Sequence, residues 1–195
     1  MKIDDNINLV LPVREDELYV YHTPISKEVF EINYKALAAV KGELASKGTA
    51  YQMLSGPSIA ALALKDEIRK SFSDQMDTSG ADRVISAFFA ELRRLSMVLV
   101  AGANGYDMKP VDAAIKAGAL DAEDWEEVES SLVFFTCHYW LTKRAQRAAL
   151  ANAAASLLQG FVTSLSVSEL GASLPKLTSA EASEKPVKAA SSVPV

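Results

Sequence analysis

The chain has 195 residues and a net charge of −5; 49% of its residues are apolar and 23% charged. That balance supports one domain of ordinary size with a real core. It argues against a nucleic-acid binder, which presents a basic face to phosphates, since the densest basic cluster here is Lys143, Arg144 and Arg147.

The one cysteine, Cys137, excludes an intrachain disulfide and points to a reducing compartment. The opening MKIDDNINL sets two aspartates where a signal peptide needs an apolar run. The apolar stretch at 95–103 is far shorter than the ~20 residues of a spanning helix. A cytosolic protein with no membrane partner is expected.

In chain order, two apolar runs with β-branched and aromatic character, 7–13 and 18–22, flank the polar turn Arg14-Glu15-Asp16-Glu17. They predict a β-hairpin, which is marginal alone and must pack on helices or pair with another chain. Ser26 is placed to cap a helix over 27–47, with Phe30, Tyr34, Leu37, Val40 and Leu44 on one face and Gly48 as its stop. Ser55-Gly56-Pro57 opens a second helix that runs to about Ser73, followed by a polar loop. A third helix is expected over about 81–101, with Val84, Ile85, Phe88, Phe89, Leu92, Leu95 and Leu99 on one side and 102–105 as its break. Pro110 starts a short helix that Gly118 ends. Asp121 caps the next, where Trp125, Val128, Leu132, Phe135 and Tyr139 recur at alternating three and four. This helix is expected to continue through Lys143 and Arg147 toward Leu158. From Gly171 onward the chain holds three prolines, five serines and five alanines, a composition too poor in apolar surface to offset chain entropy.

Three stretches invite a chemical reading. Phe134-Phe135-Thr136-Cys137-His138-Tyr139-Trp140 brings together the only cysteine and one of two histidines. Adjacent helical positions point away from each other, and the positions four away from them are Phe134, Thr142, Val133 and Leu141. No second metal ligand or base stands at helical spacing, so Cys137 reads as a small hydrophobe in a buried stripe. The acids Asp121, Glu123, Asp124, Glu126, Glu127 and Glu129 crowd the start of a helix expected to end in Lys143, Arg144 and Arg147. That order matches the helix dipole and needs no cation. Near Lys47-Gly48 the order is wrong for a phosphate loop, and Gly56-Pro57-Ser58 lacks the second glycine of a nucleophile elbow. Neither a catalytic set nor a cofactor site is assigned.

The stretches TPISKEVFEINYKALAAVK (23–41), DWEEVESSLVFFTCHYWL (124–141) and TSLSVSELGASLP (163–175), with the terminal Ser-Ser-Val-Pro-Val, resemble the tail assembly chaperones of tailed bacteriophages. The resemblance implies a non-enzymatic protein of the host cytoplasm. It would coat the phage tape-measure protein and keep it soluble until tail-tube subunits displace it. Some such families also make a longer frameshifted product. The family has no catalytic residues to carry over. Candidate interaction residues are Phe134, Phe135, Tyr139, Trp140, Leu165, Leu170 and Leu174, and the apolar surplus on 132–141 suggests a homo-oligomer. The runner-up is a structural tail component, a tube or terminator protein. A third reading is a small helical enzyme with a metal at 121–129.

The expected fold is mainly α: an N-terminal β-hairpin and a small helical bundle over 1–160, a docking segment at 161–175, and a disordered C-terminal tail at 176–195.

Overall fold

The computed structural model describes residues 7–14, 18–73, 78–102 and 105–174. The expected free tail lies outside the described residues, as does most of the hairpin turn. The described chain is mainly helical, with antiparallel strands at its N-terminus. It is more than a hairpin on a bundle, because five strands form one sheet beside eight described helices.

Strands β1 (Asn8–Arg14) and β2 (Leu18–His22) pair as the hairpin, with Leu11 opposite Val20. Neither needs another chain. β2 pairs on its far side with β3 (Ser96–Gly102), and β1 with β5 (Phe161–Thr163). β4 (Gly105–Pro110) completes the order β4-β3-β2-β1-β5, antiparallel throughout. Pro12, which cannot donate to a ladder, lies beyond the Asn8–Val10 stretch that β5 pairs.

β3 corrects the sequence reading. The expected third helix stops early: α4 spans Thr78–Arg94, and the apolar residues after Leu95 turn into a strand. A short apolar run fits a buried helix and a buried strand equally well. What decides is the pair of partners, β2 and β4, which arrive from other parts of the chain. At the switch, Ser96 Oγ donates back to Leu92 O at 2.8 Å and finishes the helix.

The remaining helices are α1 (Lys27–Ser46), α2 (Thr49–Leu54), α3 (Gly56–Ser73), α5 (Val111–Lys116), α6 (Ala122–Trp140), α7 (Arg144–Leu157) and α8 (Val167–Ser173). Ser26 and Asp121 cap α1 and α6 through side-chain oxygens that accept from Val29 N and Asp124 N. α6 does not continue to Leu158 as expected. Lys143 adopts an extended ψ of 137°, Thr142 Oγ1 bonds back to His138 O, and the chain restarts as α7.

α6 is the centre. Eleven of its 19 residues are buried, and it packs against α1, α3, α4, α7 and β1. Small residues let α3 approach it. A Cβ on Gly56 would stand 2.9 Å from a Phe134 ring atom, and Ala60 and Ala61 are buried. Ala61 N donates to Ser130 Oγ across the contact. Side-chain alternation then sorts the sheet. Leu9, Leu11, Leu18, Val20 and Val98 join the helical core, while Val10, Tyr19, Tyr21 and Leu99 face the other way and pack under α8. The middle of the sheet is therefore covered on both faces, which explains why every residue of β2 is buried, while the edge strands β4 and β5 stay partly exposed.

His22 sits in that sheet with no exposure. Its Nδ1 lies 2.9 Å from Ser96 Oγ, which spends its own proton on Leu92 O, so Nδ1 is the donor. Burial lowers the ring's pKa to about 3; the charge of Glu91 opposes this and does not overcome it. Burial also lowers that of His138.

Two outcomes follow. Phe134→Ala lowers unfolding free energy by about 3–5 kcal/mol, the cost of an aromatic-sized hole in a closed core; a loss under about 1 kcal/mol in urea titration would place Phe134 on a surface instead. The second concerns acid. An unfolded histidine titrates near ~6.5, above the folded value, so the stabilisation by neutral His22 is complete above about pH 6.5 and is lost as pH falls toward 3. His22→Leu removes on the order of 3 kcal/mol of the wild-type stability loss between pH 6.5 and 4. Equal pH slopes for the two proteins in urea titrations would contradict this.

Candidate functional site

The residues singled out from the sequence divide by burial. Phe134, Phe135 and Tyr139 are core residues of α6, at 0%, 0% and 6% exposure. A partner cannot reach them in this fold, so they are not an interaction surface, and the apolar surplus that suggested self-association is taken up inside the chain. Trp140 is half-buried: its Nε1 donates to Ile25 O at 3.1 Å and its ring stacks on Phe30. It ties the end of α6 to the start of α1. Leu170 is buried under the sheet, Leu174 is half-buried beside it, and Leu165 is exposed.

The Cys–His stretch is sealed. Cys137 is fully buried, its Sγ within 3.5 Å of Leu37 O, and burial pushes the thiol up to about 12. It carries no thiolate at neutral pH. His138 Nδ1 donates to Phe134 O at 2.8 Å, so Nε2 accepts from Gln52 at 3.1 Å and the ring is the neutral tautomer. The His22–Ser96 contact is not that of a nucleophile and its base, since Nδ1 donates and the serine proton goes to Leu92 O, and both side chains are closed to solvent. No substrate atom reaches them here.

The acidic run also divides. Asp121 caps α6. Glu129, 8% exposed, accepts from Trp125 Nε1 at 2.6 Å and pairs with Arg93 Nη2 at 3.5 Å. Arg93 lies over the Trp125 ring and reaches Asp112 as well, at 3.0 Å. Among the described residues no three His, Cys, Asp or Glu side chains gather as metal ligands. No described helix is long and apolar enough to cross a membrane.

What the surface offers is concave and largely apolar. One hollow of about 430 Å³ lies where α1, α3 and α4 meet, lined by Ile32, Tyr34, Ile68, Phe72 and Val84 with Glu67 and Lys35 at its border. Phe72 also lines a second hollow of about 490 Å³ toward the start of α4, where Arg69 bridges to Asp82 at 3.6 Å. The two hollows adjoin at Phe72, among α1, α3 and α4. Ile32 stands 79% exposed at the edge of the first, a costly place for a branched apolar side chain that no neighbour covers. The sequence reading missed this groove because it set Tyr34 on the buried face of α1, whereas Tyr34 is exposed and Asn33 takes the inward position. The signal was present in Ile32, which lies off the Phe30–Tyr34–Leu37 stripe.

A third hollow, of about 620 Å³, lies where α6 gives way to α7, among Asn8, Pro24, Lys27, Trp140, Arg144 and Arg147. The Arg147 guanidinium lies over the rings of Trp140 and Tyr139 at 4.6 and 5.0 Å, and its buried Nε has no hydrogen-bond partner. The ring faces hold the charge in place.

Against known proteins, no family model, no curated protein and no solved structure matches this chain.

Proposed function

We propose that the chain is a non-enzymatic tail assembly chaperone of a tailed bacteriophage, working in the host cytoplasm. It would bind helical stretches of the tape-measure protein and hold them in solution until tail-tube subunits take their place. The observation that supports this beyond the resemblance is the open apolar groove between α1, α3 and α4, edged by Ile32 and Tyr34. A groove between helices takes the apolar face of a further amphipathic helix. Its borders carry Lys35 and Glu67, charges of both signs, which suits a client whose polar face varies along its length.

The alternative, a structural tail subunit, asked the hairpin to join a sheet between subunits. Both strands of the hairpin already have neighbours in their own chain, and the described edges left open are β4, β5 and the stretch of β1 beyond Val10, which holds Pro12. This favours the chaperone reading. The acidic enzyme reading has less support, since Asp121 and Glu129 are held by a helix cap and by Trp125 and Arg93.

Co-expression with the tape-measure protein of the same genome tests the proposal. The wild-type chain raises the soluble fraction of the tape measure several-fold. Ile32→Lys removes most of that gain and leaves folding stability within about 0.5 kcal/mol, as for an exposed position. A tape measure equally insoluble with and without the wild-type chain would end this reading.

A further inference from the structure

The outer face of the sheet raises a separate question. Val10 and Leu99 are fully buried, and Tyr19 and Tyr21 nearly so, in a cluster of their own apart from the helical core. Their cover comes from α8 and its flanks. Leu170 fills the centre, Val167 and Leu174 pack at either side, and Tyr106 meets Tyr19 edge to face at 5.8 Å.

α8 is a slight cover. It has seven residues, of which only Leu170 is buried. A helix of that length does not persist by itself in water. Its Ser166–Glu169 capping box satisfies its own backbone, and the Ser173 hydroxyl turns back to Leu170 O. The anchoring bonds precede the helix: Tyr21 Oη and Asn8 Nδ2 donate to Leu165 O at 2.9 and 3.4 Å. Just before β5, Gln159 holds a left-handed φ of 56°, a strained state for a residue with a side chain.

The seat itself is demanding. Uncovered, it would show water a patch of aromatic and branched side chains, which a folded protein does not leave bare. The segment that shields it presents apolar residues at i, i+3 and i+7, with Gly171 at i+4, where a Cβ would make ordinary contact with Leu99 at 3.5 Å. α8 thus opens at the cost of baring this patch, a cost that an incoming helix of the same spacing removes.

We propose that this sheet face is a second helix-binding seat, that α8 is its built-in occupant, and that an amphipathic helix of the client with this spacing displaces α8. The identity of the client rests on the function proposed above; the seat and its exchange do not. With the α1–α3–α4 groove, the seat would give the chain two points of attachment on one long helical client, and two modest contacts then hold together while each can still release. While α8 is docked, apparent affinity at the seat is reduced by the fraction of molecules that are open.

The test uses a staple that the geometry allows. A Cβ on Gly171 would lie 4.0 Å from Tyr106 Cβ, within the span of a disulfide. The full-length double variant Gly171→Cys/Tyr106→Cys therefore locks α8 when oxidised and frees it when reduced, and the buried Cys137 stays out of the exchange. The probe is a fluorescein-labelled peptide TSLSVSELGASL, residues 163–174. The reduced variant binds it at least tenfold more tightly than the oxidised one. Leu170→Ser, which weakens α8 without touching the seat, binds it about tenfold more tightly than wild type. Equal binding to the oxidised and reduced forms, or no binding even to Leu170→Ser, overturns the seat.

A second arm dilutes denatured tape-measure protein into each form and follows aggregation by light scattering. Leu170→Ser suppresses aggregation at lower concentration than wild type. If it gains nothing over an active wild type, the client does not use the seat, and the exchange is refuted while the chaperone reading stands. If wild type itself fails to suppress aggregation, the chaperone reading fails and the client assignment falls with it, while the peptide still decides the seat.

Discussion

The fold depends on enclosing α6. A helix of 19 residues, about 28 Å long, has to be surrounded on nearly every side because its apolar residues run round it rather than along one stripe. One helical neighbour cannot do that. α3 closes in over Gly56 and Ala60, α1 and α7 flank it, and the sheet supplies a further wall through β1. The polar groups that α6 itself carries into this interior find partners, whereas His22 Nε2, arriving from β2, has none among the described residues. Thr136 bonds to Leu132 O, Ser130 accepts from Ala61 N, and Glu129 takes the Trp125 N–H. Even the C-terminus of α6 is tied to a neighbour, with Lys41 Nζ reaching Leu141 O at 3.4 Å.

Once α6 is enclosed, the rest sorts by what is left over. The sheet gives one face to the core and must find a cover for the other, and α8 supplies it. α1 and α3 give their inner faces to α6, and their outer edges with α4 leave the groove bordered by Ile32. Function, on this account, belongs to the surfaces that the core does not use. The aromatic stretch 134–140, conspicuous in the sequence, is the hub that makes those surfaces possible.

Much of this was legible from local chemistry. The hairpin, the caps at Ser26 and Asp121, the start of α3 at Gly56 and the short helix after Pro110 all depend on neighbours within a few residues, so the sequence displays them directly. α2, β4 and β5 were not foreseen at all, and three further misreadings share one reason. β3 is a strand because β2 and β4 lie beside it. α6 ends at Trp140 because the chain turns there and packs α7 back against it. Phe134 is core because α3 brings Gly56 to meet it. Each is decided by segments far away in the chain. The 163–175 stretch was recognised as able to dock, but its seat, the outer sheet face, takes shape only when five strands assemble. The exposed groove was hidden by the same logic: spacing alone set Tyr34 among the inward residues of α1, and the packing of distant helices turned Asn33 inward and left Tyr34 and Ile32 outside.

Hydrogen exchange of the backbone amides tests the central claim, a rigid hub with a detachable cover, most directly. Amides of α6 exchange only through global unfolding, and their protection falls with urea along the global unfolding slope. Amides of Leu170 to Ser173 exchange through local opening, with far lower protection and little urea dependence. Protection in α8 equal to that in α6, with the same urea slope, would show the two to be one cooperative unit and would contradict the account.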